Sequence, residues 1–179
     1  MKHALFFSLA IAAAVSAQAQ SALRHHNTDA PIDVDARAID VLDAKGQAVW
    51  SGDVRITQGS MKLNADTVTV FYSKAKGSGS PQINRLDAQN NVKLVTPSET
   101  ATGRYGIYDV ARKTVTLVGG VTLTHGDSVL RGQRLAIDLD SGRSKLDGAG
   151  TGPATPGAPA ASGGRVTGRF VVPPRSGSN

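Results

Sequence analysis

The fold is decided by "GDVRITQGSMKLNAD", residues 52–66, in which apolar and polar residues alternate on both sides of Gly59-Ser60. Alternation with a period of two around a turn dipeptide predicts two antiparallel strands joined as a hairpin. Two related stretches follow along the chain: "NNVKLVTPSETATGR" at 90–104 and "GGVTLTHGDSVLRGQ" at 119–133. A segment that occurs three times indicates a fold made of stacked units that share one core.

The three stretches align without gaps when three valines are placed in register: Val54, Val92 and Val121. Each valine follows two turn-forming residues: Gly52-Asp53, Asn90-Asn91 and Gly119-Gly120. Each unit then has a small residue, at Ala65, Gly103 and Gly132, and further on an apolar residue, at Val70, Tyr108 and Ile137. A small side chain suits a corner where a strand bends or a second backbone comes close. We therefore predict a unit of turn, strand, turn, strand, bend and third strand, with one apolar face.

The same texture covers the chain from 32 to 146, where short runs rich in Val, Ile, Leu and Thr are separated by Gly, Asn, Asp or Pro. No window carries the sustained apolar stripe, with a period of about 3.6 residues, that marks a helix. The first two units are spaced more widely than the last two. The extra residues, 73–81, are polar and flexible, as a hairpin tip tolerates. The sequence thus predicts an all-β domain of stacked strand-turn-strand repeats.

The N-terminal stretch "MKHALFFSLAIAAAVSAQAQ" has the order of a secretory signal peptide. A basic start is followed by an apolar run from Ala4 to Val15 and by an Ala17-Gln18-Ala19 cleavage motif. That run is shorter than the roughly 20 residues that cross a bilayer. We predict that residues 1–19 are removed after about Ala19 and that the mature protein is exported.

The rest of the chain divides by composition. Residues 20–30 are predicted to be a flexible N-terminal arm, and 31–147 to be the β domain. Residues 148–164 contain only Gly, Ala, Pro, Ser and Thr, which is typical of a linker because such a segment buries too little apolar surface to become ordered. Residues 165–174 return to alternation and end in two prolines, which predicts a terminal edge strand, and 175–179 form a tail.

The overall composition narrows the class of partner. The chain has no cysteine, and its 20 Lys and Arg against 14 Asp and Glu give a net charge of +6. Without disulfides an exported domain depends on core packing and backbone pairing. The mild positive charge suits an anionic partner such as a phosphorylated lipid or a membrane surface. The few aromatic residues offer no stacking platform for single strands, so no nucleic-acid partner is predicted.

No set of residues indicates catalysis. His25-His26 could bind a metal, but no acidic or histidine partner stands at ligand spacing, and the pair is interpreted as part of the flexible arm. His125 is expected in an exposed turn, and the carboxylates that alternate with apolar residues are expected to face solvent: Asp66, Asp109 and Asp138. The sequence lacks nucleophile-elbow, phosphate-loop and zincin motifs. We therefore predict no enzyme activity, no cofactor and no metal site.

The apolar face of the repeats admits two interpretations. In a closed sandwich the inward residues, such as Val54, Ile56 and Leu63, are ordinary core. If the facing sheets fail to close along one side, the same residues line an open groove. Aliphatic walls without buried charge suit acyl chains, which need apolar area and no hydrogen bonds. The pattern by itself leaves both interpretations open.

The stretch "WSGDVRITQGSMKLNADTVTV", residues 50–70, closely resembles the G-N-V-x-(I/V)-x-Q-G-x-x-x-(I/L)-x-A-D signature of the LptA/OstA-like family, the periplasmic bridge proteins of lipopolysaccharide export. Upstream, "PIDVDARAIDVLDAKGQAV" at 31–49 is similar to the opening strands of that family, and 103–143 is similar to its later repeats. The ending "RVTGRFVVPP" at 165–174 is similar to its last strand.

This resemblance implies an open, twisted antiparallel β-jelly-roll with a groove for acyl chains. It implies that subunits associate edge to edge and carry lipopolysaccharide, or a related anionic glycolipid, between an inner-membrane transport complex and an outer-membrane translocon, without catalysis or cofactor. The groove-lining residues expected on this basis are Ile32, Val34, Val54, Ile56, Met61, Leu63, Val68, Val70, Leu94, Tyr108, Leu123, Leu130, Leu135 and Ile137. The alternative is a structural or chaperone-like periplasmic β module that binds protein partners through its edge strands and takes no lipid.

Overall fold

The computed structural model describes residues 26–73, 81–148 and 164–170. It contains ten β-strands: β1 (Ile32–Asp35), β2 (Ala38–Leu42), β3 (Gln47–Gln58), β4 (Met61–Ser73), β5 (Gln82–Val95), β6 (Glu99–Asp109), β7 (Thr114–His125), β8 (Ser128–Asp138), β9 (Ser144–Asp147) and β10 (Thr167–Arg169). A short 3₁₀ turn, Asp43–Lys45, lies between β2 and β3. None of the described residues forms a helix long and apolar enough to cross a membrane. The prediction of an all-β fold is confirmed.

All the strands belong to one antiparallel sheet. Strands β3 to β8 form a meander in which each strand pairs with the next along the chain. Each edge consists of two short strands: β1 pairs with the C-terminal half of β3 and β2 with its N-terminal half, whereas β9 and β10 share the free side of β8. The first and last strands of the chain therefore lie at opposite edges of the sheet.

Strands β3, β5 and β7 bend at β-bulges formed by the paired turn-forming residues of the three units. All six of these residues have positive φ angles, from 49° at Asn91 to 88° at Gly119. The register of pairing shifts between Ser51 and Val54 in β3, for example, and pairing then resumes. At each of these pairs the strand bends without reversing its direction, because pairing resumes with the same neighbouring strand beyond the pair. The prediction of turns at these pairs is therefore wrong, because each pair lies inside one long strand.

The predicted third strand of each unit is not a separate element either. Val70, Tyr108 and Ile137 lie in β4, β6 and β8, beyond the bend of each strand. The repeating unit is thus a long bent hairpin: β3–β4, β5–β6 and β7–β8. Its chain reversals lie at the positions predicted for the second turn, beginning at Gly59, Thr96 and Gly126.

The bends divide the sheet into two leaves. The first leaf comprises 47–51, 67–73, 82–89, 105–109, 114–118 and 134–138, with β2 and β9 at its edges. The second leaf comprises 54–58, 61–65, 92–95, 99–103, 121–125 and 128–132, with β1 and β10 at its edges. We call the side opposite the bends, where the strand ends of the two leaves approach each other, the mouth.

The two leaves face each other across a shared core. Tyr108 Oη on β6 lies 2.8 Å from Gln58 Oε1 on β3, although these two strands are not neighbours in the sheet. Leu86 and Leu117 of the first leaf and Val54 of the second are 0% exposed and belong to one apolar cluster. Burying a side chain of this kind contributes about 1.5–3 kcal/mol. Packing between the leaves therefore contributes to the stability of the fold.

The small residue of each unit lies at the bend, as predicted. Each one pairs with a valine of the sequence alignment: Val54 with Ala65, Val92 with Gly103 and Val121 with Gly132. A Cβ atom on Gly132 would lie 2.8 Å from the carbonyl oxygen of Asp147, and one on Gly103 would lie 3.2 Å from that of Val118. Another backbone segment approaches both glycines, which confirms close approach as a reason for the small side chain.

The two ends of the domain differ from each other. The flexible-arm interpretation is wrong for residues 26–30, because His26 is only 8% exposed and packs beside Gln58. At the other end, β10 pairs with β8, so a terminal edge strand is present over Thr167–Arg169.

Several predicted segments lie outside the described residues. They are the signal peptide with His25 (within 1–25), the tip of the β4–β5 hairpin (74–80), most of the linker (149–163), and the end of the terminal segment with the tail (171–179).

Candidate functional site

The residues expected to line a groove all lie on the inner faces of the two leaves. They belong to one apolar cluster, in which Ile32, Val34 and Leu130 are partly buried and the others are buried. The alternation in the sequence therefore identified the inner face of every long strand. Burial alone does not decide whether this face is core or lipid site.

The central part of the interior is closed. Ile56, Met61 and Leu63 of the second leaf pack near Tyr108 and Val115 of the first, around a cavity of only about 10 Å³. A space of that size holds about one water molecule. In this conformation the centre of the inner face is packed core.

An apolar cleft opens at the N-terminal edge of the same interior, with a volume of about 490 Å³. We call it the edge cleft. Its lining comprises Ile32, Val34, Val41, Asp43, Ala48, Trp50, Val70, Tyr72, Pro81 and Ile83. Of these residues only Ile32, Val34 and Val70 were expected from the sequence as groove lining. Ile32 also borders the small central cavity, so the cleft and the closed interior adjoin each other.

The edge cleft lies at the end of the sheet, between β2 at the edge of the first leaf and β1 at the edge of the second. Ile39 pairs with Trp50 and Val41 with Ala48, so the side chains of β2 extend the inner face of the first leaf. Ile39 is nevertheless 48% exposed and Val41 57% exposed. Exposed apolar side chains that continue a buried apolar face typically mark a binding surface. The sequence analysis missed these two residues, although the alternation "AIDVL" at 38–42 was a signal for them.

One polar side chain interrupts the apolar inner face. Gln58, at the end of β3, is 2% exposed. Its Nε2 donates to the carbonyl oxygens of Thr28 at 2.8 Å and Ala30 at 3.0 Å, and its Oε1 accepts from Tyr108 Oη. Burial raises the pKa of the Tyr108 phenol. Sequence reasoning gave Gln58 no role, although a glutamine within a signature of otherwise apolar inward positions was the available signal.

The carboxylates considered in the sequence are structural. Asp109 accepts hydrogen bonds from the backbone N–H and the guanidinium of Arg112, and Asp138 accepts from the backbone N–H and the hydroxyl of Ser141. The backbone hydrogen bond is the main reason why the pKa of each carboxyl lies below its usual value. A carboxylate held ionised at a turn is suited to fixing that turn and unsuited to acting as a general acid at neutral pH.

The remaining candidates, His125 and Asp66, are exposed. His125 is 58% exposed at the end of β7 and lies 3.6 Å from Glu99. Asn91 donates to Asp66 across neighbouring strands at 2.8 Å. Within the part of the chain that the structure describes, no group of three histidine or acidic residues is placed to hold a metal ion.

Comparison with known proteins gives a consistent result. The family model described as "LptA/(LptD N-terminal domain) LPS transport protein" matches residues 33–143. The chain is 34% identical over 150 residues to an uncharacterized protein of Rhizobium meliloti (strain 1021), in an alignment that covers 82% of this chain and 80% of that protein. It is 27% identical over 124 residues to the lipopolysaccharide export system protein LptH of Pseudomonas aeruginosa, covering 60% of this chain and 63% of that protein.

The fold is also that of a solved structure. The crystal structure of LptH, described as the LptA-homologous periplasmic component of the conserved lipopolysaccharide transport device of Pseudomonas aeruginosa, matches with a TM-score of 0.63 and 23% identity, over 82% of this chain and 98% of that one. This likeness confirms the predicted open β-jelly-roll. Because the family model covers most of the described domain, the chain belongs to the LptA/(LptD N-terminal domain) family of lipopolysaccharide transport proteins.

Proposed function

We propose that this chain is a periplasmic bridge protein that holds the acyl chains of lipopolysaccharide, or of a related anionic glycolipid, between its two leaves during transfer from the inner to the outer membrane. The observation that carries this proposal is the edge cleft, which is apolar, open and about 490 Å³ in volume. Known small-molecule sites have volumes of about 300–1,000 Å³. Aliphatic walls fit an acyl chain, which gains free energy from apolar contact alone.

The two edges of the sheet supply the proposed assembly surface. Each edge is made of short strands, β1 with β2 and β9 with β10, and an edge strand can pair with a strand of another chain. Pairing of the first edge of one subunit with the last edge of the next would place the inner faces of both in line. The same edges are the proposed contacts with the inner-membrane transport complex and the outer-membrane translocon.

Lipid contact can be tested by photo-crosslinking from the cleft. Trp50 lines the cleft, and Val49 beside it points to the opposite side of the sheet because side chains alternate along a strand. A photoreactive phenylalanine analogue is introduced at each position in separate variants, which are mixed with lipopolysaccharide and irradiated. We expect a lipid adduct from position 50 and none from position 49. Equal labelling from both positions, or labelling from 49 alone, would contradict the proposal.

The alternative is a structural or chaperone-like module that uses only its edges, and the family to which the chain belongs does not favour it. The closed centre of the interior, with a cavity of about 10 Å³, is compatible with such a module. That alternative predicts no lipid adduct from position 50, and crosslinks to protein from the edge strands β2 and β10. The same pair of variants therefore separates the two functions.

A further inference from the structure

Gln58 is a buried amide in an apolar surrounding. It borders the central cavity together with Ile56, Met61 and Leu63, and its side chain is 2% exposed. A buried amide is costly unless its donors and acceptors are paired. Gln58 therefore depends on specific partners, and those partners depend on it.

The side chain of Gln58 uses its full hydrogen-bonding capacity. A carboxamide has two N–H donors and two acceptor lone pairs. Nε2 donates to the carbonyl oxygens of Thr28 and Ala30 at 2.8 and 3.0 Å. Oε1 accepts from Tyr108 Oη at 2.8 Å and lies 3.4 Å from His26 Nε2. No other side chain of similar size could make the same set of bonds.

These partners belong to three separate parts of the molecule. Gln58 ends β3 in the second leaf, Tyr108 lies near the end of β6 in the first leaf, and residues 26–30 precede β1. The bond between Gln58 and Tyr108 thus joins the two leaves on the side of the mouth. The two bonds to Thr28 and Ala30 hold the N-terminal segment across the same place.

We propose that Gln58, Tyr108 and residues 26–30 form a latch, which closes the mouth and must open before an acyl chain can pass from the edge cleft into the space between the leaves. This inference rests on the proposed function. Ile32 borders both the open edge cleft of about 490 Å³ and the cavity of about 10 Å³ that Gln58 and Tyr108 line. The latch explains why the first space is open and the second is closed. Gln58 is a positioning residue in this arrangement, since it acts through the segments that it holds.

Two substitutions test the two parts of the latch separately. Tyr108→Phe removes only the hydroxyl that joins the leaves. Gln58→Glu keeps an acceptor for Tyr108 but places a carboxylate where two donors faced carbonyl oxygens, so it releases residues 26–30. Thr96→Val is the matched control, because Thr96 is a buried polar residue, 8% exposed, whose hydrogen bonds stay within its own turn with Glu99.

The experiment uses the full chain and two readouts. Hydrogen exchange measured by mass spectrometry reports the opening of residues 26–36. A Trp50→Phe, Met61→Trp background moves the single tryptophan of the chain from the edge cleft to the border of the small central cavity. Quenching at position 61 by a fatty acid brominated on its acyl chain then reports entry of that chain past the latch, and its rate. Loss of one buried hydrogen bond changes a population by about tenfold at most. We expect exchange and quenching to become faster by up to about tenfold in Tyr108→Phe and by more in Gln58→Glu, with Thr96→Val unchanged.

The outcomes separate the latch from the proposed function. Quenching at position 61 at the same rate with the native latch, Tyr108→Phe and Gln58→Glu would overturn the latch while leaving lipid entry in place. Absence of quenching of Trp50 in the wild-type chain, where Trp50 lines the open edge cleft, would contradict the proposed function itself. If Gln58→Glu fails to fold, Tyr108→Phe alone decides, because phenylalanine preserves the apolar contacts of the ring.

Discussion

The inner face of the central strands and the inner face of β2 both consist of alternating apolar residues, but the first is buried and the second is exposed. Leu117 in β7 is 0% exposed, whereas Val41 in β2 is 57% exposed, and both are apolar residues in an alternating strand. The difference is the position in the sheet, because β7 lies in its middle and β2 at its edge. Alternation therefore assigns a residue to a face, but the position of its strand in the folded sheet decides whether that face is buried or exposed.

The largest loss of stability should come from truncating a side chain on the buried inner face. Leu117→Ala removes contacts at a fully buried position, and such truncations cost about 2–5 kcal/mol of unfolding free energy. Val41→Ala should cost less than about 0.5 kcal/mol, as is usual for an exposed position. Urea unfolding of both variants, followed by circular dichroism, measures the difference. A similar loss in both variants would mean that β2 is covered in solution.

The next largest loss of stability should come from adding a methyl group where β9 lies close to the bend of β8. Gly132→Ala places a Cβ atom 2.8 Å from the carbonyl oxygen of Asp147, and such overpacking costs about 1–3 kcal/mol. Gly103→Ala is the matched control, because its Cβ would have 3.2 Å to the nearest backbone oxygen. We expect a larger drop in the urea midpoint for Gly132→Ala. Equal drops would show that β9 does not press on the bend.

The buried phenol at the mouth should appear as pH dependence. Because burial raises the pKa of Tyr108 in the folded protein, stability is fully present below the unfolded pKa of about 10 and is lost as pH rises through the folded pKa. Tyr108→Phe should remove that part of the alkaline loss, while costing about 0.5–1.5 kcal/mol at neutral pH for the lost hydrogen bond. Thermal midpoints between neutral and alkaline pH measure both. If the thermal midpoint fell equally at alkaline pH in Tyr108→Phe and in the wild type, the phenol would be solvated.

The smallest effect should come from the carboxylates of the exposed turns. The pKa values of Asp109 and Asp138 are lowered in the folded state, so their contribution is present above the unfolded pKa and is lost as pH falls through the folded one. In the double variant Asp109→Asn, Asp138→Asn the thermal midpoint should fall less than in the wild type as the pH is lowered. Asp33→Asn is the control, since the Asp33 side chain makes no hydrogen bond or ion pair among the described residues, although its backbone belongs to β1. An equal change in the control would contradict the assignment of this pH dependence to Asp109 and Asp138.

The N-terminal segment shows where local reasoning failed. His26 stands beside polar residues, and nothing nearby in sequence indicated burial, so the segment was interpreted as a flexible arm. Its order comes from Gln58, which is 32 residues away along the chain. Contacts over such a distance are invisible to composition. The paired turn-forming residues were misinterpreted for a related reason, because two left-handed residues can bend a strand or reverse it, and the pairing on either side decides which.

The all-β class, the three hairpins, the inward face of each long strand and the position of the small residues can be predicted from the amino-acid sequence. These follow from alternation and turn chemistry, which are properties of neighbouring residues. The folded structure is needed to show that the strands run on through their bends, that Gln58 joins the leaves at the mouth, and that the interior is closed at its centre and open beside Trp50. Those features depend on which leaf or segment lies opposite, and a chain carries that information only once it has folded.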